Sequence, residues 1–204
     1  MVEHYFSKKP KGKLKLKKLN IFLRGIDIEI YFSSGTFSSE WLDFGTKVLI
    51  ENMIIKNKDN ILDLGCGNGV VGVIAAHLTK GKVYLTDINE RACEVAELNS
   101  KKLKNIKVLC GNMYETVKGK KFDVILLNPP QTAGKKLCLE MIEEAKNHLK
   151  KNGSLQLVAR HNKGGKVLSE KMREVFSNLD TLVKQGGYRV YISRLNSRKE
   201  SKLI

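Results

Sequence analysis

The chain has 204 residues, 42% of them hydrophobic and 28% charged, which suits one globular domain with at most a small appendage and excludes global disorder. No run approaches the roughly 18 consecutive apolar residues of a membrane helix, and Met1 to Pro10 lacks the apolar core of a signal peptide, so a cytosolic protein is expected. Thirty-seven Lys and Arg against 21 Asp and Glu leave a net +16, split as +7 over residues 1–25, −1 over 26–110 and +10 over 111–204. Basic ends around a neutral middle point to a polyanionic partner, and nucleic acid is the natural one.

Residues 1–13 read as a basic arm, with Lys8, Lys9, Lys11 and Lys13 around Pro10 and Gly12. From Leu14 to Phe32 apolar and polar residues alternate in two runs separated by Arg24-Gly25, the pattern of a β-hairpin. After Ser33-Ser34-Gly35 the period changes: Trp41, Leu42, Val48, Leu49, Ile50 and Met53 recur at helical spacing, with Ser38 or Ser39 as the expected cap. Hairpin and helix together make an N-terminal piece, residues 14–56, packed on a main domain of residues 57–196, with a basic tail at 197–204.

Beyond Asn60, short apolar runs alternate with amphipathic segments. Strands are expected near 60–64, 82–87, 106–110, 122–128, 153–159, 179–184 and 188–194, and helices near 69–79, 90–103, 134–150 and 164–176. Parallel neighbours need long crossovers, so strands separated by helices predict an α/β fold, a Rossmann-like, doubly wound and mostly parallel sheet. Gln185-Gly186-Gly187 is too short a connection for a crossover, and the last two strands are therefore a reversed C-terminal hairpin. Cys66, Cys93, Cys110 and Cys138 form neither a C-x-x-C pair nor a tight Cys/His cluster; they read as buried thiols, with no metal site.

The run Asp63-Leu64-Gly65-Cys66-Gly67-Asn68-Gly69 is a strand entering a glycine-rich turn ahead of a helix, a place where backbone approaches a ligand closely. The G-x-G-x-x-G spacing of a pyrophosphate site is absent, since position 70 is Val, and Asp63 beside a diphosphate would be unfavourable. A carboxylate there suits a cofactor carrying an ammonium and a sulfonium. Asp87, in Thr86-Asp87-Ile88-Asn89 at the end of the next strand, is placed to accept from two ribose hydroxyls, and Gly111-Asn112-Met113 to meet an adenine ring.

The strand Phe122–Leu127 runs into Asn128-Pro129-Pro130. Two prolines stiffen the turn and remove two N–H donors, leaving the Asn128 side-chain oxygen and the Pro129 carbonyl as acceptors suited to an NH2 substrate. The lone pair of such an amine is delocalised, so transfer calls for positioning of both N–H groups rather than a strong base, and no such role is assigned to His161. Arg160-His161-Asn162-Lys163-Gly164-Gly165-Lys166 reads as a phosphate-contacting or simply solvated loop.

With these residues in hand, the chain resembles class I S-adenosylmethionine-dependent methyltransferases. Gly35 to Leu49, Asn128-Pro129-Pro130 and the terminal Gly187-Tyr188-Arg189-Val190 are similar to the small-subunit rRNA guanine-N2 methyltransferase family, catalytic domain only. The resemblance implies S-adenosyl-L-methionine as cofactor, a seven-stranded sheet, and a cofactor and target pocket lined by Phe37 and Thr46 together with Asp63, Gly65, Cys66, Gly67, Asp87, Ile88, Asn112 and Met113. It implies catalysis at Asn128, Pro129 and Pro130, with a guanine amine of structured RNA as substrate. The chain departs from the pattern at Gln131, where an aromatic usually follows the prolines, and in having only a hairpin and lysine arm where bacterial members carry a second, degenerate domain. The basic arm and basic C-terminal half would then grip RNA phosphates. Two alternatives stay open: a protein N-methyltransferase acting on a glutamine amide, and a non-catalytic RNA-binding module that keeps the cofactor pocket.

Overall fold

A computed structural model describes residues 16–33, 42–130 and 134–196. The basic arm, Leu14, Phe37, Ser38, Ser39, Trp41, Gln131 and the tail 197–204 lie outside the described residues.

The hairpin is formed by β1 (Leu16–Leu23) and β2 (Ile26–Ser33), antiparallel with Leu23 opposite Ile26. Its two-residue turn, Arg24-Gly25, has positive φ at both positions (54° and 75°), the geometry whose twist matches that of the flanking strands. Leu23, Ile30 and Phe32 are buried from its inner face. Asn99 secures it: its Oδ1 accepts from Tyr31 N–H at 2.8 Å and its Nδ2 donates to the Tyr31 carbonyl at 2.9 Å and to the Asn68 carbonyl at 2.8 Å. One side chain thereby ties the hairpin to the glycine-rich turn.

Helix α1 spans Phe44–Asn52, and its cap is Asp43, whose Oδ2 accepts from Thr46 N–H at 2.9 Å. This corrects the expectation of Ser38 or Ser39, because Asp43 sits three residues before the N–H it satisfies and the helix starts later than the apolar spacing suggested. The Arg24 guanidinium donates to the Met53 carbonyl at 2.8 Å, fixing the hairpin turn against the end of α1.

The main sheet has seven strands in the order β5-β4-β3-β6-β7-β9-β8: β3 (Ile61–Leu64), β4 (Val83–Asp87), β5 (Ile106–Cys110), β6 (Phe122–Leu127), β7 (Leu149–Arg160), β8 (Asp180–Gln185) and β9 (Tyr188–Arg194). All neighbours are parallel except β9, which runs antiparallel to both β7 and β8. The fold is therefore the Rossmann-like methyltransferase arrangement with a reversed terminal hairpin. Helices α2 (Val70–Leu78) and α3 (Glu90–Ser100) join α1 and the hairpin on one face, while α4 (Lys135–His148) and α5 (Lys166–Phe176) cover the other. Strand alternation divides the core accordingly, with Ile61, Val124 and Val158 toward the first face and Leu62, Ile125 and Leu157 toward the second.

Three boundaries differ from the sequence reading. Strand β7 begins at Leu149 rather than 153, since α4 stops at His148 and the backbone turns extended at once, with a register irregularity between Phe122 and Val124 absorbing the extra length. Helix α5 begins at Lys166, because Gly164 adopts φ +96° and breaks any earlier turn. Helix α3 ends at Ser100, short of the expected 103. Of the four cysteines, Cys110 is exposed rather than buried.

Gln156 is a fully buried polar side chain on β7, and its amide pairs twice with Ile54, accepting from its N–H and donating to its carbonyl, each at 2.8 Å. This is how the chain leaving α1 is attached to the sheet. Gln156→Leu keeps the volume but strands both backbone groups, so urea unfolding is expected to show a loss of about 2–4 kcal/mol.

Candidate active site

The strand order reverses between β3 and β6, and a crevice opens there beyond their carboxyl ends. Into it run the turn after β3 and the turn after β6. The first is shaped by positive φ at Gly65 (70°), Gly67 (55°) and Gly69 (80°). At Gly69 a side chain is also excluded by contact, since a Cβ would lie 2.9 Å from Leu85 and 3.0 Å from Ala96. At Gly65 the nearest atom to a Cβ would be Met141 Cε at 3.8 Å, so the space beside it belongs to the crevice. The Gly65 and Cys66 N–H groups are both spent on the Thr86 carbonyl, at 2.8 and 2.9 Å, which locks the turn to the end of β4.

Two buried carboxylates stand in the wall. Asp63 accepts from Gly72 N–H at 2.9 Å through Oδ2, and among the described residues no hydrogen bond reaches its other oxygen. Burial pushes its carboxyl up to about 7; the Gly72 N–H opposes that shift and the charge of Asp87 adds to it. Asp87 accepts from Asn89 N–H and Gly67 N–H, both at 2.9 Å, and burial raises its carboxyl as well, against those N–H groups and that of Ile88. Cys66, also in the wall, has its thiol pushed well above its usual range by burial.

Opposite them, Asn128 is clamped by its amide nitrogen: Nδ2 donates to Thr46 Oγ1 at 3.0 Å and to Asp43 Oδ2 at 3.3 Å. Asp43 also accepts from Thr46 N–H and Oγ1, so one carboxylate caps α1 and sets the orientation of Asn128. Amide geometry then leaves Oδ1 as the free acceptor. Among the described residues neither Asn128 Oδ1 nor the Pro129 carbonyl receives a hydrogen bond.

Of the residues singled out from the sequence, Thr46, Asp63, Gly65, Cys66, Gly67, Asp87, Ile88, Asn112, Met113, Asn128, Pro129 and Pro130 all line this one crevice, while Phe37 lies outside the described residues. Sequence reasoning missed Asp43, which the spacing Asp43-x-x-Thr46 ahead of an apolar helix would have revealed as a cap, and it missed Leu137 and Met141, which close the wall from α4. His161 lies elsewhere, its Nδ1 at 2.7 Å from Tyr191 OH. Among the described residues no group of three or more His, Cys, Asp or Glu is placed to hold a metal ion, and no helix is long and apolar enough to cross a membrane.

A glycine turn and an acidic strand end facing an Asn-Pro-Pro turn across the switch point of this sheet define a class I S-adenosylmethionine-dependent methyltransferase. The chain belongs to the methyltransferase small domain family, which matches residues 27–192. It is 33% identical over 193 residues to the uncharacterized protein YbxB of Bacillus subtilis, covering 92% of this chain and 96% of that one. It is 35% identical over 172 residues to ribosomal RNA small subunit methyltransferase C of Haemophilus influenzae, covering 81% of this chain but 51% of that one, so it spans about half the length of those relatives. Among solved structures, the T. thermophilus 16S rRNA N2 G1207 methyltransferase in complex with AdoMet and guanosine shares the fold, with a TM-score of 0.75 at 19% identity over 91% of this chain and 52% of that one. A methyltransferase from Pyrococcus furiosus superposes with a TM-score of 0.65 at 22% identity over 74% of this chain and 82% of that one. The protein is thus a methyltransferase that uses S-adenosylmethionine, related to ribosomal RNA small subunit methyltransferase C.

The crevice fits that cofactor on its own chemistry. Two buried carboxylates with raised affinity for protons face one cavity, a donor set that favours a cationic ligand with hydroxyls over an anionic one. Asp63 holds its proton in the fold to about pH 7 while the unfolded chain releases it near pH 4, so its contribution to stability is complete below about pH 4 and is lost as pH rises toward 7. A cation opposite Asp63 reverses that preference. Calorimetric titration is expected to show S-adenosylmethionine affinity rising between about pH 6 and 8, with a flatter profile and roughly 10-fold weaker binding at pH 8 in Asp63→Asn.

Proposed function

We propose that this methyltransferase acts on an exocyclic amine of structured RNA, most specifically guanine N2 in small-subunit ribosomal RNA, in the cytosol where that substrate is found. The observation that carries the reading is the clamped Asn128 amide, which holds an unused oxygen acceptor beside an unused Pro129 carbonyl. A planar NH2 offers two donors, and two fixed acceptors orient its nitrogen and favour its rehybridisation as the lone pair leaves the ring system. Asp43 Oδ2 holds both Thr46 and Asn128, so in this reading Asp43 orients the site and preorganised hydrogen bonding carries the transfer. The relatives named for ribosomal RNA support RNA as the substrate, and the net +16 charge supports a polyanion.

When bound, S-adenosylmethionine supplies a methyl group activated by a sulfonium. Asp87 would take the ribose hydroxyls, Ile88, Asn112 and Met113 the adenine, Asp63 the cationic amino-acid end, and Thr46 would act through Asn128. Phe37 belongs to the same reading as a residue of the target pocket. The basic arm and C-terminal half would hold RNA phosphates.

The test uses methyl-labelled S-adenosylmethionine with unmethylated small ribosomal subunits, counting RNA and protein fractions separately. Label recovered as N2-methylguanosine is the expected result; label in a glutamine side chain would transfer the same acceptor geometry to a protein amide and overturn the RNA reading. Asn128→Ala is expected to lower kcat on the order of 100-fold or more while cofactor affinity stays nearly unchanged. Asp43→Ala, which loosens the Asn128 clamp and uncaps α1, is expected to lower kcat about 10-fold and cost about 1 kcal/mol of stability, read by steady-state kinetics and thermal unfolding.

A further inference from the structure

Outside the crevice, the most unusual charge arrangement lies at the rim of the sheet beside Asn128. Strands β6 and β7 are parallel with Leu127 opposite Leu157, so β7 continues past the end of β6 and carries Arg160 beyond the carboxyl edge. Antiparallel pairing places Tyr188 opposite Arg160, and Lys184 at the end of β8 opposite Arg189. The turn that follows β7 adds Lys163, and the first residue of α5 is Lys166. Five cations from two stretches of chain, 160–166 and 184–189, stand at this one end of the sheet, Arg160 with Tyr188 on the α1 face and Lys184 with Arg189 on the other.

Among the described residues none of the five makes an ion pair with a carboxylate. On β7, α5 and β9 the bases that do pair lie away from this end: Lys150 with Asp123, Lys171 with Glu143 and Glu174, and Arg194 with Asp180. The crowding is felt at His161, whose ring is kept below its usual proton affinity by partial burial and by the charges of Arg189, Lys166 and Lys184, with Glu170 opposing. Like charges assembled without counter-charges repel, and a fold that holds them rigidly is stabilised when an anion enters.

The rim is held rigidly and in register with the reaction site. His161 N–H donates to the Gly187 carbonyl at 3.0 Å and the His161 ring meets Tyr191 OH, which staples the turn after β7 to the β8–β9 turn. The Arg160 guanidinium lies over the Tyr188 ring at 5.5 Å, and that ring packs edge-on against Phe44 at 5.7 Å. Phe44 follows Asp43, the residue that clamps Asn128. Gly45 permits the contact, since a Cβ there would stand 2.7 Å from the Tyr188 ring. A chain of contacts thus runs from the Asn128 turn to Arg160.

We propose that Arg160, Lys163, Lys166, Lys184 and Arg189 form a seat for the phosphodiester backbone of the RNA whose base enters the crevice. The inference rests on the RNA reading above and adds the surface that presents the nucleotide. Phosphates on the rim hold the strand beside Asn128, and the Arg160–Tyr188–Phe44 stack fixes the distance between backbone seat and acceptor pair. The seat reads backbone, not sequence, so it sets affinity and salt dependence rather than choice of base.

The experiment compares the wild-type protein with two triple variants: the rim triple Arg160→Gln/Lys163→Gln/Lys184→Gln, and a matched triple Lys101→Gln/Lys102→Gln/Lys104→Gln from the exposed loop before β5 at the opposite end of the sheet. Binding of a structured ribosomal RNA fragment is followed by fluorescence anisotropy across a salt series, alongside methyl transfer and thermal unfolding. Three lost phosphate contacts are expected to reduce the slope of log affinity against log salt by about 2 and to raise KM for RNA roughly 10- to 100-fold, with cofactor affinity and melting temperature within error of wild type. The matched triple should change the slope by far less. Equal effects of the two triples, or an unchanged slope in the rim triple, overturn the seat while leaving the RNA reading intact. Rim-dependent binding without transfer to RNA keeps the seat and overturns the reading of the substrate; absence of RNA binding by the wild-type protein overturns both.

Discussion

Everything functional in this chain depends on the reversal of strand order between β3 and β6. Crossovers leaving β3 and β6 build outward in opposite directions, so the space above their carboxyl ends is not covered by either set of helices. The glycine turn after β3 and the Asn-Pro-Pro turn after β6 are 64 positions apart from Gly65 to Pro129, yet adjacent strands with Leu64 opposite Leu127 deliver them to the same crevice. The cost of that opening is buried polarity, and it falls on Asp63 and Asp87. Their raised proton affinity is the physical form in which the structure stores a demand for a cationic, hydroxyl-bearing ligand.

The N-terminal segment is part of the site rather than decoration on it. Asp43 spends one carboxylate oxygen on the Thr46 N–H, the Thr46 hydroxyl and the Asn128 amide, so the orientation of Asn128, the proposed catalytic side chain, is decided by a residue outside the seven-stranded sheet. Asn99 does the same work on the other side, joining the hairpin at Tyr31 to the glycine turn at Asn68. The hairpin and α1 also supply Ile30, Phe32, Val48, Leu49 and Ile50 to the core on that face, so the same segment serves both the fold and the orientation of Asn128.

Much of this was legible in the chain. The period-2 runs around Arg24-Gly25, the change to helical spacing after Gly35, and strands separated by crossovers gave the architecture, because hydrophobic periodicity reports which face of each element is covered. The glycine turn, Asp87 and Asn128-Pro129-Pro130 were legible because their chemistry is local. The cap of α1 was legible only through the spacing Asp43-x-x-Thr46, since Ser38 and Ser39 are equally good cap types and the apolar spacing from Trp41 onward favoured an earlier start. The end of α4 was equally hidden: nothing between His148 and Gly153 marks a boundary, and it is the parallel pairing with β6 that draws Leu149 into a strand. The reach of Asp43 to Asn128 across 85 positions, like the meeting of Arg160 with Tyr188, exists only once strands are paired.

Charge follows the same logic. A net +16 spread over the sequence says only that a polyanion is welcome; it does not say where. The antiparallel insertion of β9 between β7 and β8 is what turns composition into a surface, because it brings the beginning of β9 alongside the ends of β7 and β8 and so gathers Arg160, Lys184 and Arg189 at the one edge where the parallel strands also terminate. An all-parallel sheet would have put Arg189 and Tyr188 at the far end, away from Asn128. The reversed hairpin thus does more than close the sheet: it adds positive charge without ion-pair partners among the described residues to the end where the buried carboxylates and the amide clamp already stand. A cationic ligand is favoured inside the crevice and an anionic one along its rim, and the proposed RNA substrate would require that separation of charge, since its phosphates would then lie within reach of an ammonium-bearing cofactor over a few residues.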